Sequence, residues 1–185
     1  KDMKKVFFLI SIIFLFSCSI TGSNNIYIDS INGNDKNSGK SKQTPWATLN
    51  NLNTLIPEPG TVIYLKSNSI FDGQIEFNYS GKNEQPITLK PYGAGKKPII
   101  NGNGEKKYTI LLNNVEHIVI DGIEITNKGS QRMEARTGLT IKAENSGELN
   151  NIVIKNMVIH HVNGSLIKTD GGGSAILIRK FGEKI

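Results

Sequence analysis

Cysteine is nearly absent from this chain: Cys18 is the only one among 185 residues. A lone thiol cannot close an internal disulfide, so whatever folds beyond it is held by packing and hydrogen bonding alone. Long apolar runs are scarce as well. The one run, Val6 to Phe16, is too short to serve comfortably as a bilayer span, which needs about 20 residues. No Lys/Arg run exceeds two residues and no basic-aromatic interleaving occurs, so the sequence lacks the footprint of a nucleic-acid binder. No glutamate closes the oxygen-rich stretch Asn32-Gly33-Asn34-Asp35, which therefore fails the EF-hand pattern and reads as turn chemistry. The adjacent His160 and His161 do not form the His-x-x-x-His spacing of a helical metal site. No metal site is expected.

What the chain has in quantity is glycine, 19 residues, beside a heavy use of asparagine and isoleucine. Isoleucine favours extended backbone, while Gly and Asn accept the conformations of tight turns, so the mixture favours short strands separated by turns. Its length, with 37% hydrophobic and 21% charged residues, fits one domain. The formal charge is +6; three of the 22 Lys+Arg and one of the 16 Asp+Glu precede Cys18, which leaves an excess of four beyond it. These positive residues are scattered. They describe a solvated, weakly basic surface, compatible with an acidic glycan.

The N-terminus reads as an address. From Met3 the basic Lys4-Lys5, the apolar Val6 to Phe16 and the small Ser17 are the successive parts of a secretory signal. Leu15-Phe16-Ser17-Cys18 resembles a bacterial lipobox, in which the chain is cut before a cysteine that carries a diacylglycerol; Phe16 departs from the small residue usual there. The resemblance implies residues 1–18 as a lipoprotein signal, Cys18 as the lipidated residue and 19–25 as a small polar tether. It implies an exported protein held by lipid to a bacterial membrane, the outer membrane, on its periplasmic or cell-surface face. An ordinary signal peptide with an incidental cysteine is the alternative.

Residues 26–60 hold a strand, Ile26-Tyr27-Ile28, a turn-rich loop, and a predicted helix in which Thr44 is the N-cap and Pro45 the first helical position. Trp46, Leu49, Leu52, Leu55 and Ile56 recur at helical spacing until Pro57 and Pro59 end it. Such a helix would cap the apolar end of a strand array, with Trp46 packed inside the cap. Residues 61–185 then become a series of short apolar strands: Val62-Leu65, Ile75-Phe77, Ile87-Leu89, Ile99-Ile100, Ile110-Leu112, Ile118-Ile120 and Ile123-Ile125.

An internal repeat organises them. His117 to Asn127 aligns without gaps to Asn151 to His161. Each copy is two strands joined by a two-residue corner, with Gly122 and Asn156 at the same corner position, the residue types that most readily take left-handed backbone. A further strand precedes each copy, Ile110-Leu112 and Leu139-Ile141, and a third equivalent begins at Ala175-Ile178. Three strands per coil, with a long connection after the third, describe a triangular parallel solenoid of about four coils.

At Ile26 to Leu49, Gly60 to Gly102 and Val115 to Gly164 the sequence resembles the pectate-lyase-like superfamily of right-handed parallel β-helix proteins. Gly60-Thr61-Val62-Ile63-Tyr64-Leu65, Phe71-Asp72-Gly73, Gln85-Pro86-Ile87-Thr88-Leu89-Lys90 and Lys97-Pro98-Ile99-Ile100-Asn101-Gly102 are similar to the opening coils of alginate and chondroitin lyases of that fold. The resemblance implies an all-β, right-handed parallel β-helix with an N-terminal capping helix, a polysaccharide partner, and more coils than the sequence shows. The chain is thus expected to be the front part of a longer protein, and a monomer. What matches are scaffold positions, and one scaffold carries several activities.

If Ile110 and Leu112 point inward, Asn113 points outward, and Lys142 and Arg179 are its equivalents in the next two coils. In the family, this face carries the extended polysaccharide. With Arg132 from a flanking loop, Asn113, Lys142 and Arg179 are the candidate substrate-binding residues, suited to uronic carboxylates. The loops Asn127 to Arg136 and His160 to Ser174 would wall the groove, and His160, Arg136 and Asp170 are the candidate catalytic groups for removing a proton and protonating a leaving oxygen. By strand alternation His160 points outward and His161 inward. The leading expectation is a polysaccharide lyase acting on a uronate-containing glycan, with calcium entering only through the resemblance. A glycoside hydrolase, which needs two carboxylic acids at a defined separation, and a non-catalytic glycan-binding scaffold are the alternatives.

Overall fold

Ile-rich segments of three to eight residues, each closed by a residue that accepts left-handed backbone, cannot pair as long hairpins; they turn a corner and stack. The structure, a computed structural model, describes residues 24–145 and 148–182. The signal, Cys18 and most of the tether lie outside these residues. A single strand β1 (Ile26–Ile28) precedes four coils: β2 (Val62–Lys66), β3 (Ile70–Asp72) and β4 (Ile75–Phe77); β5 (Ile87–Tyr92), β6 (Ile99–Asn101) and β7 (Tyr108–Asn113); β8 (Ile118–Asp121), β9 (Glu124–Asn127) and β10 (Thr137–Glu144); β11 (Ile152–Lys155), β12 (Val158–Val162) and β13 (Ser174–Phe181).

Like strands of successive coils form three sheets, ordered β1-β2-β5-β8-β11, β3-β6-β9-β12 and β4-β7-β10-β13, here sheets A, B and C. All the strand pairings are parallel. This is an all-β, three-strand-per-coil architecture consistent with a parallel β-helix. The repeat read from the sequence is the rung-to-rung register itself, since Ile118 pairs with Ile152 and Asp121 with Lys155.

Register places identical environments above one another, so the core is built of columns. Ile26, Ile63, Leu89, Ile120 and Ile154 form one in sheet A. Phe71, Ile100, Ile125 and Ile159 form one in sheet B, and Phe77, Leu112, Ile141 and Ile178 one in sheet C. Most of the inner members are fully buried. The corner between β8 and β9 requires a positive φ, 72° at Gly122, and its equivalent Asn156 has 53°. A side chain at Gly122 would also press on the Pro91 ring at 3.2 Å.

Three expectations need correction. The helix is α1, only Asn50–Thr54, with no side-chain cap. Trp46 lies before it in a parallel bridge to Ile28, and its indole N–H donates to the Asn37 carbonyl. Thr44 turns its hydroxyl to Ser38 and Ser41, so the Thr44-Pro45 signal marks a loop, and backbone pairing with β1 overrides helical periodicity. Strand β3 was not legible because only Phe71 points inward; Ile70 and Asp72 are exposed. His161 does not point inward: a bulge between His160 and Val162 gives it φ 52° and leaves it exposed.

Candidate functional site

The buried polar residues Thr109, Asn127, Arg136 and Thr137 lie at the corners between sheets B and C. Asn127, fully buried, donates to the carbonyls of Lys106 and Thr137 and accepts from the Gly104 N–H. One coil later Asn163 accepts from the Gly129 N–H and donates to the Gly129 carbonyl. Arg136 joins these turns: Nη1 donates to the carbonyls of Gln131 and Asn163 and to Asn163 Oδ1, and Nη2 to the Gly104 carbonyl. Only 2% exposed, it has its pKa lowered by burial. Arg136 was a candidate catalytic group; the structure places it inside the protein, holding three coils together.

The loops so fixed flank the outer face of sheet C, where outward residues stand in rows. Glu76, Leu111, Thr140 and Leu177 form one row, and Asn113, Lys142 and Arg179 the next. A cleft of about 280 Å³ runs over them, lined by Lys107, Tyr108, Leu111, Thr140, Lys142, Leu177, Arg179 and Phe181. Its floor is apolar. Two of its three cations are compensated from within, Lys107 by Glu134 and Lys142 by Glu144. Lys142 and Arg179 lie 5.4 and 6.0 Å from the centroid of the Phe181 ring, which keeps that ring at the cleft's end.

Tyr108 closes the side toward β4. Its hydroxyl donates to Glu76 Oε1 at 2.9 Å, and Gln74 Nε2 donates to the same oxygen at 2.7 Å, so both bonds use one carboxylate oxygen. Burial, then the Glu76 carboxylate, pushes the Tyr108 phenol up to about 12. Tyr92, on sheet A, is also raised to about 12, chiefly by burial and then by Asp29. A raised phenol favours the folded state fully below the unfolded value near 10, and that contribution is lost as pH rises through about 12. In an alkaline titration followed at 295 nm, Tyr92 and Tyr108 are expected to ionise about two units late. Tyr108→Phe and Tyr92→Phe should each remove one late step; unchanged late absorbance in both would refute the assignment.

The remaining candidates lie apart. His160 is on sheet B, its Nε2 2.8 Å from Glu124 Oε1 and its Nδ1 against His161 Nδ1. Arg132 donates to the Gly164 carbonyl at 2.9 Å. Asp170 accepts from Ser165 at 3.0 Å inside its own loop. Among the described residues no group of three or more His, Cys, Asp or Glu could hold a metal. Sequence reasoning missed Tyr108, Glu76 and Phe181. Alternation would send Tyr108 inward with Ile110, but the start of β7 breaks alternation: Thr109 is the buried residue, with its hydroxyl on the Thr126 carbonyl.

No family model matches the chain. It is 28% identical over 193 residues to a lacto-N-biosidase of Bifidobacterium longum subsp. longum, which covers 76% of this chain and 12% of the relative. Two solved structures of a GH136 lacto-N-biosidase from Eubacterium ramulus, the native protein and a selenomethionine derivative, superpose with TM-scores of 0.73 and 0.72 at 28% identity. They match over 84% and 86% of this chain and 30% and 31% of their own length. The chain thus spans under a third of the relatives it matches. These findings overturn the polysaccharide-lyase expectation, because the proteins that share both sequence and fold with this chain are glycoside hydrolases. The likeness to lyases rested on inward isoleucines and corner glycines, which stacking dictates whatever the chemistry.

Proposed function

We propose that the chain forms coils of a carbohydrate-active protein of the glycoside hydrolase type, with a neutral oligosaccharide lying along the outer face of sheet C. The observation that carries this reading is the shared 28% identity and fold with lacto-N-biosidases. The cleft supports it at two of its three cations: Lys107 and Lys142 are already neutralised, so at those positions a uronate carboxylate would have to displace existing ion pairs. The apolar Leu111, Leu177 and Phe181 suit the faces of sugar rings, and Glu76 Oε2 suits a sugar hydroxyl. The glycan is the partner, and the first eighteen residues direct the protein to export and a lipid anchor at Cys18, a reading supported by Lys4-Lys5 and Leu15-Phe16-Ser17-Cys18.

The test is incubation of the full-length protein with neutral and acidic glycan panels. Release of saccharides with new reducing ends from neutral oligosaccharides is expected. Products carrying an unsaturated uronate, formed from acidic glycans alone, would overturn the proposal. Phe181→Ala is expected to weaken retention of the neutral oligosaccharide about three- to tenfold, the worth of one ring contact.

A further inference from the structure

One pair of side chains on sheet B serves neither the core nor the cleft. Strand β12 repeats β9 one coil on: Ile159 stacks on Ile125 and His160 on Thr126, but Asn127 is matched by Val162 and not by the residue next to His160. One residue has been inserted, and it is His161. Its φ of 52° is left-handed backbone, which a residue other than glycine adopts at a cost. Core packing gains nothing in return, because His161 is exposed.

The insertion brings two imidazoles together. Consecutive residues of a regular strand face opposite sides, whereas this bulge turns His161 out beside His160. The ring centroids are 4.5 Å apart, with the two Nδ1 atoms against each other. Re-aiming a side chain in this way is a recurrent use of bulges next to functional sites. On the far side of its ring, His160 Nε2 lies 2.8 Å from Glu124 Oε1, on β9 one coil back. An ionised carboxylate only accepts, so in the neutral imidazole Nε2 carries the proton and Nδ1 keeps its lone pair, turned toward His161.

A carboxylate behind one imidazole, a lone pair in front of it and a second ring nitrogen converging on the same point form an arrangement suited to metal ions that prefer imidazole. The meeting point offers nitrogen, which does not suit calcium or magnesium.

We propose that Nδ1 of His160 and Nδ1 of His161 chelate a divalent transition-metal ion such as zinc, with Glu124 orienting His160 from behind. The rings part to admit an ion bonded to each nitrogen at about 2.1 Å. Among the described residues no third His, Cys, Asp or Glu joins them, so the other coordination positions belong to water or to a ligand. Bound there, the ion fixes the bulge at the root of the connection from β12 to β13, one wall of the cleft. This inference concerns sheet B and stands whether or not sheet C takes a glycan.

The test titrates the full chain with zinc chloride, followed by calorimetry and by imidazole ¹⁵N NMR, with magnesium and calcium chlorides as controls. Zinc is expected to shift the Nδ1 signals of His160 and His161 while the third histidine, His117, stays unmoved, and the control ions should shift none. Metal-free, His160 should appear as the Nε2–H tautomer. Glu124→Gln is expected to weaken zinc binding about tenfold, and His160→Ala to abolish it. His161→Gly removes the strained backbone together with the imidazole. It should therefore melt no lower than the original chain in chelator, yet lose the rise in melting temperature that zinc produces. Zinc affinity unchanged in His161→Gly, affinity lost equally in His117→Ala, or no saturable shift of the two Nδ1 signals would each overturn the proposal.

Discussion

Arg136→Met is expected to lower the free energy of unfolding by about 3 kcal/mol, among the largest single effects in the molecule. Methionine fills much of the same volume, so the loss is not a cavity. It comes from four hydrogen bonds, to oxygens on Gly104, Gln131 and twice on Asn163, broken in a place water reaches poorly. A buried guanidinium without a carboxylate partner is itself costly, but here carbonyl dipoles surround the charge, and deleting it strands them. Arg136→Lys keeps the charge without the planar fork and should recover only part of the loss. Urea denaturation of the three proteins measures this, and a loss under 1 kcal/mol for the methionine variant would show that the corner turns hold themselves.

The second large effect contrasts two members of one column. Leu112→Ala is expected to cost about 3 kcal/mol, the transfer term plus the cavity left between fixed coils. Ile178→Ala, two coils away in the same register, should change stability by no more than about 0.5 kcal/mol, because it buries little. Equal losses at both positions would mean that Ile178 is covered in solution.

Much of the architecture was legible because stacking leaves a direct trace in sequence. Each rung repeats the chemistry of the one below, so the offset between His117 and Asn151 is also the register, and Gly122 and Asn156 betray the corner through backbone conformation. The row of Asn113, Lys142 and Arg179 followed from alternation alone. What was not legible came from long-range partners. Trp46 and Thr44 look helical locally, yet β1 needs an edge partner, and pairing wins. Arg136 looks like an exposed loop cation, and nothing nearby in sequence shows that Gly104 and Asn163 close around it. Tyr108 enters the cleft because alternation fails at a strand start, and His161 leaves the core through a bulge. Activity was hardest to read, since the residues that produced the likeness to lyases serve the scaffold.

The connections from β9 to β10 and from β12 to β13 differ in length, yet both deliver the chain to the same register on sheet C. Lengthening a loop is thermodynamically cheap, about 0.6 kcal/mol per doubling, whereas a one-residue slip within a strand would turn a whole column inside out. Descendants of this gene can therefore vary how high the cleft is walled while its floor is inherited unchanged. The walls of the cleft can change without the fold having to be found again.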